Sequence, residues 1–247
     1  MARAPPTWSA GLPRVLAAEF VSTAMLVYYT LATAVFSGDG GLTTVRQLQA
    51  SVVAGCTVAT LCFIFAENFF NPAVTIAFAA VGRLAPARAA AYVVAQCAGA
   101  VLGAGAVRLM SPEQFRRIGG GVNVIQPGAT ATEALGVEFA LVFVLVLAAS
   151  AAGDGARPAA HAHAAAIAPL IIGTVAAVGG FVAIPVDACS MNPARSFGVA
   201  LVAGQWDDQI IFWAGPILGG VAAALVYENV LSVAAGTAAP QKEVAVA

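Results

Sequence analysis

Asparagine, proline and alanine recur in the same order at two places, Asn71-Pro72-Ala73 and Asn192-Pro193-Ala194. Proline suits the first position of a helix, and asparagine is a strong N-cap. Two such helix starts facing each other would aim positive dipole ends at one point. The capping asparagines would keep their side-chain NH2 donors free to point into the gap between them. That is the chemistry of orientation, not of bond breaking. A passing water would turn its oxygen toward Asn71 and Asn192, which breaks a proton-conducting chain, while the dipoles repel cations.

Three ionisable residues sit where the surrounding sequence is apolar. Arg195 directly follows the second motif, at a helix start where a snorkelling side chain could not reach the interface. Glu19 and Glu138 lie inside long apolar runs, and an intramembrane carboxylate suggests a function by default. It is either a proton relay or a piece of structural scaffolding, and the symmetric placement of the pair fits scaffolding better. The remaining reactive residues are sparse. Cys56, Cys62, Cys97 and Cys189 are scattered without CxxC pairing, so neither a disulfide framework nor a zinc site is indicated. His161 and His163 read as solvated loop residues, with a pH gate as the alternative. No nucleophile–base pair is present, so an enzyme is not expected, and neither is a cofactor or a metal.

The elements that must position these residues follow from composition. Of the 247 residues, 60% are hydrophobic and 9% charged, where about a quarter is charged in soluble domains. A mean hydropathy of +0.88 places the chain in a lipid bilayer. A formal net charge of −1 leaves no basic field for nucleic acid. Charges bracket the apolar runs, and a span needs roughly 20 apolar residues. Six transmembrane helices are therefore expected near 15–36, 47–66, 89–109, 134–152, 164–184 and 209–230. Two apolar pieces, Asn71 to about Val81 and Asn192 to about Val202, are too short to span. Each makes roughly 16 Å of helix, half the hydrocarbon thickness. They read as re-entrant half-helices, or as surface loops with an amphipathic turn.

The halves repeat. Glu138 follows Glu19 by 119 positions and Asn192 follows Asn71 by 121. Gly99-x-x-x-Gly103 pairs with Gly215-x-x-x-Gly219 at an offset of 116. Ordered marks at near-constant spacing indicate duplication. With three spans per half, the second copy must enter from the opposite side, so the repeats are inverted. The expected organisation is a lead over 1–14, a channel domain over 15–232 (repeats 15–109 and 134–232) and a tail over 233–247. Six basic residues on the side of the termini, against four opposite, favour cytoplasmic termini.

These residues resemble the aquaporin, or major intrinsic protein, superfamily. The resemblance is carried by Asn71-Pro72-Ala73-Val74-Thr75, Asn192-Pro193-Ala194-Arg195-Ser196-Phe197-Gly198, Ala95-Gln96-Cys97-Ala98-Gly99-Ala100 and Phe212-Trp213-Ala214-Gly215-Pro216. It covers roughly Ala17 to Tyr227 and implies an all-α homotetramer with one pore per protomer. It implies that Glu19 and Glu138 hold re-entrant backbone and that Arg195 is the selectivity-filter arginine. Gly180, Cys189 and Ala54 match the other filter positions, Ala54 by a looser alignment. Gly180 would leave a wide opening, and Cys189 would make it mercurial-sensitive. Ser196, Ala200, Phe212 and Trp213 match water channels, whereas glycerol facilitators carry an aspartate near Ser196.

Phe69-Phe70, Pro112-Glu113-Gln114-Phe115 and Gly119-Gly120-Gly121 are similar to the plant small basic intrinsic branch. The resemblance thus implies a passive water channel in the plasma membrane or endoplasmic reticulum, excluding ions and leaking small neutral solutes such as hydrogen peroxide. Two alternatives stay open: a facilitator for glycerol, urea or similar solutes, and a structural membrane protein with a narrow or closed pore.

Overall fold

The computed structural model describes residues 11–37, 43–65, 68–154 and 162–232. His161, most of the lead and all of the tail lie outside these residues, as does the side chain of His163. The spans are α1 Leu12–Phe36, α2 Thr44–Ile64, α4 Pro86–Met110, α6 Ala131–Ala152, α7 Ala162–Asp187 and α9 Gln209–Val226, the last continued by a wider turn over Tyr227–Leu231. All six runs are long and apolar enough to cross a bilayer. The half-helices are α3 Pro72–Ala80 and α8 Pro193–Ala203. A short helix, α5 Pro112–Arg117, and a tight turn, Gly119–Gly121, join α4 to α6. The protein is an all-α, multi-pass membrane protein.

Starts are set by local chemistry. Proline opens α1, α3, α4, α5 and α8, where its missing N–H costs nothing. Pro13 and Pro86 thereby extend α1 and α4 about three residues beyond the expected bounds, so Leu12 to Arg14 belong to a helix rather than to the lead. Thr130 and Glu133 form a reciprocal capping box on α6.

The six spans pack as two similar units. Within the first, α1 lies on α4; within the second, α6 lies on α9. Each half-helix then packs on the last span of the other repeat, α3 on α9 and α8 on α4, and α2 lies against α7 across the seam. Small residues allow the close approaches, as expected where no hydrophobic force acts between helices in lipid. A Cβ at Gly99 would overlap the carbonyl oxygen of Phe20, and one at Gly219 would overlap that of Phe139.

This corrects the register of the repeat. Phe20 and Phe139 are equivalent, each following its repeat's glutamate, so Gly99 corresponds to Gly219 at an offset of 120 rather than to Gly215. The GxxxG match was displaced by four residues, about one helical turn, which returns to the same helix face. At 120 the offset agrees with those of the glutamates and asparagines.

Candidate functional site

The site is built where α3 and α8 begin. Asn71 caps α3: its Oδ1 accepts from the Ala73 N–H at 2.9 Å. Asn192 Oδ1 accepts from Ala194 N at 3.0 Å and Arg195 N at 3.3 Å. The two amides then cross. Asn71 Nδ2 donates to the Met191 carbonyl and Asn192 Nδ2 to the Phe70 carbonyl, both at 2.8 Å. The half-helices therefore meet start to start, with the asparagines only 5% and 4% exposed. One hydrogen of each amide is engaged in this crossing, whereas the sequence led us to expect both to be free.

Phe70 and Met191, the residues just before the two caps, have φ of 38° and 51°, a left-handed conformation that costs a side-chain-bearing residue. Two buried carboxylates hold them there. Glu19 accepts the N–H groups of Phe69 and Phe70 at 2.8 Å each. Glu138 accepts those of Ser190 and Met191 at 2.6 and 2.7 Å. With both N–H groups drawn back toward the helix bundle, the Phe70 and Met191 carbonyls are turned to the asparagines. Both oxygens of both glutamates carry bonds, and both residues are fully buried.

Arg195 is partly exposed, and its Nη1 donates to Asn123 Oδ1. The same oxygen accepts from Ser196 Oγ at 2.8 Å. Ser196 Oγ also lies 2.6 Å from Ser190 Oγ. At the end of α7, Asp187 is buried; its Oδ1 accepts from Cys189 N at 2.9 Å, and its Oδ2 has no partner among the described residues. Ala188 and Cys189 also have positive φ, 65° and 56°, so this loop is a run of left-handed residues tied down by Asp187 and Glu138.

The residues matched to the filter fall as follows. Cys189 is half-buried in the loop just described, and Ala54 is half-buried on α2. Gly180 is buried in the α2–α7 seam. A Cβ there would lie 2.6 Å from Ser51 Oγ and 3.0 Å from Ser51 Cα, so the side on which a side chain would leave Gly180 is filled by α2. The seam runs on through Gly55, whose Cβ would lie 2.6 Å from both the Gly173 carbonyl and Ala177 Cβ. The expectation of open space beside Gly180 is corrected on that side: Ser51 occupies it.

A profile of the major intrinsic protein family matches residues 7–227. The chain belongs to that family. Among its relatives are the probable aquaporin PIP2-8 of Arabidopsis thaliana, 36% identical over 230 residues (90% of this chain, 83% of the relative), and the aquaporin PIP2-7 of Musa acuminata, 36% identical over 237 residues (90% and 82%). The aquaglyceroporin from Plasmodium falciparum shares the fold, with a TM-score of 0.77 over 92% of this chain and all of that one, at 19% identity.

Sequence reasoning gave no role to several residues of this major intrinsic protein, Gln96 among them although its motif carried the resemblance. Gln96 Nε2 donates to Glu19 Oε2 at 2.8 Å and to Thr75 Oγ1 at 2.9 Å, locking the first carboxylate to α3. Asn123, Asp187 and Ser190 were also missed. The signal for Asn123 was present: a polar residue in the apolar run Val122–Ile125, directly after three glycines.

Proposed function

We propose that this protein is a passive water channel that excludes ions and protons. The observation that carries the reading is the crossed pair of asparagines at two opposed helix starts. Each amide spends one hydrogen on the opposite loop, which fixes its plane, and retains one for a permeant. A water passing between them, its oxygen accepting from both amides, cannot also accept a hydrogen from its neighbours in the file, so the proton chain is interrupted. Both dipole ends and Arg195 add positive potential on the path, which raises the barrier to cations. The names of the relatives support water as the permeant.

Arg195, Cys189, Gly180 and Ala54 form the filter in this proposal, Glu19 and Glu138 act as holders of the loops, and hydrogen peroxide leaks through with water. No chemical step is assigned to any residue. The protein works as a homotetramer with cytoplasmic termini, in the plasma membrane or the endoplasmic reticulum. Apolar side chains exposed along the spans, such as Val52, Val94, Leu102, Val144, Leu170 and Leu218, suit lipid or a neighbouring protomer.

The test is osmotic response of proteoliposomes. Vesicles bearing the protein should shrink in sucrose much faster than empty ones, and reswell slowly in glycerol or urea. Fast glycerol or urea entry would instead make it a solute facilitator. Shrinkage equal to that of empty vesicles would leave a structural membrane protein with a closed pore.

A further inference from the structure

α7 ends on Asp187, a fully buried acid at the start of the second re-entrant loop. Its Oδ1 accepts from the Cys189 N–H at 2.9 Å, closing a turn on the residue two positions on. That turn needs one oxygen only. Asparagine closes the same turn and would fill the same space without a charge. The second oxygen, Oδ2, is buried and has no hydrogen-bond partner among the described residues. A buried carboxylate in a membrane protein is costly, and such groups face an opposite charge.

The opposite charge is that of Arg195. The Asp187 carbonyl accepts from Asn123 Nδ2 at 3.4 Å, and Oδ1 of that same amide accepts from Arg195 Nη1. One carboxamide group and two hydrogen bonds therefore separate the Asp187 backbone from the guanidinium. The carboxylate lies within electrostatic range of that guanidinium, and of Glu138 on α6. Both oxygens of Glu138 are taken by the Ser190 and Met191 N–H groups, so its charge serves the loop backbone. Asp187 has an oxygen to spare. It acts on Arg195 through space, and burial leaves little water or salt to screen the pair.

We infer that Asp187 is a specificity-determining residue, the counter-charge of Arg195, and that the pair rather than the arginine alone sets the filter's barrier to cations. The inference rests on the water-channel reading. Arg195 keeps its donors for a permeant and its bulk beside the opening. The carboxylate cancels part of its field, so the opposed helix starts carry a larger share of cation exclusion. Water and other neutral permeants feel the shape and the donors, which the carboxylate does not alter.

The experiment uses the full chain in proteoliposomes, with proton leak read from a trapped pH dye and water and glycerol permeability measured on the same vesicles. Buffer on the alkaline side of neutrality keeps the carboxylate ionised. Arg195→Ala removes the cation and leaves Asp187 unopposed, so the proton-to-water ratio should rise above that of the parent. Adding Asp187→Asn should lower that ratio roughly tenfold, since unit charges several ångströms apart interact about that strongly at the permittivity of a protein. The glycerol-to-water ratio should be the same in the single and double variants, because the second change alters charge and not width.

A proton-to-water ratio in the double variant equal to or above that of Arg195→Ala would overturn the inference. So would a glycerol ratio that falls in step with the proton ratio, which would report a distorted loop, or an Arg195→Ala proton ratio no higher than the parent's. Should the asparagine variant fail to reach the membrane, Asp187→Ser decides by the same criteria, because its hydroxyl also closes a turn two residues on. A parent protein that does not conduct water would sink the channel reading itself, a result separable from every one of these.

Discussion

The two loops that lead into the half-helices share a scaffold and differ in chemistry. In both, a buried glutamate takes two successive N–H groups, a left-handed residue follows, and an asparagine caps its own helix while bonding to the other loop. Beyond that the halves part. On the first side Phe69 stacks among Phe78 and Tyr92, and Gln96 ties Glu19 to Thr75. On the second, Arg195 stands where the first repeat has Val74, and Asn123, Asp187, Ser190 and Ser196 surround it with polar groups. The duplicated parts are those that hold backbone in place. In the proposed channel a charge on one side suffices for discrimination, because a second one would double the desolvation cost in the membrane without adding a second kind of contact.

The comparison is broken most severely at its helix seams. Gly99→Ala and Gly219→Ala should both abolish recovery of monodisperse protein, since each new Cβ would overlap a backbone oxygen that cannot move independently. Gly215→Ala meets Glu138 Cβ at 2.9 Å and the Leu135 carbonyl at 3.1 Å, and should be milder. Gel filtration of detergent extracts measures this, and a Gly215→Ala worse than Gly219→Ala would refute the corrected register.

Next come the carboxylates. Glu138→Gln can accept through one oxygen only and turns an NH2 toward another donor, so at least one buried N–H is left unpaired, at about 1–3 kcal/mol. Glu19→Gln should cost no less, because its single amide oxygen must serve either Phe69 alone or the Phe70 N–H and the Gln96 amide together. Thermal unfolding of the two variants in one detergent would test the order, and a larger loss for Glu138→Gln would go against it.

Asn192→Asp and Asn71→Asp probe conduction rather than stability. Each replaces a donor to the opposite carbonyl with a repelling oxygen and puts negative charge at the dipole ends. Water flux should fall several-fold and cation exclusion should weaken, more at Asn192 if neighbouring Arg195 supplies most of the barrier. Unchanged flux and exclusion in well-folded variants would remove the asparagines from the mechanism.

A smaller effect is expected at the α2–α7 seam. Gly180→Ala should lower the unfolding temperature, and Ser51→Gly in addition should restore it, because Ser51 is what the new Cβ meets. Gly180→His should cut peroxide flux more than water flux only when Ser51→Gly makes room for the ring. Equal solute cuts with and without Ser51→Gly would show that the side chain at 180 does not contact α2.

The smallest effect belongs to Cys189. Cys189→Ser should leave water flux near the parent value and abolish block by a mercurial. Persistent block would assign the reactive thiol to Cys56, which is exposed, or to the half-buried Cys62 or Cys97.

Six spans, two half-helices, their capping residues and the duplication were legible in the amino-acid order. Hydropathy, proline and asparagine act locally, and a bilayer leaves a chain of this composition few alternatives. Symmetry pointed to a scaffolding role for Glu19 and Glu138, and only the family resemblance specified loop backbone as what they hold. Which glycines correspond could not: residues four apart share a helix face, and only the Phe20 and Phe139 carbonyls distinguish them. Nor could the sequence show that Ser51 fills the space beside Gly180, or that Asn123 closes on Arg195 from a position 72 residues away. Those contacts depend on how helices far apart in the chain lie against one another, and local propensity carries no information about distance across a packed bundle.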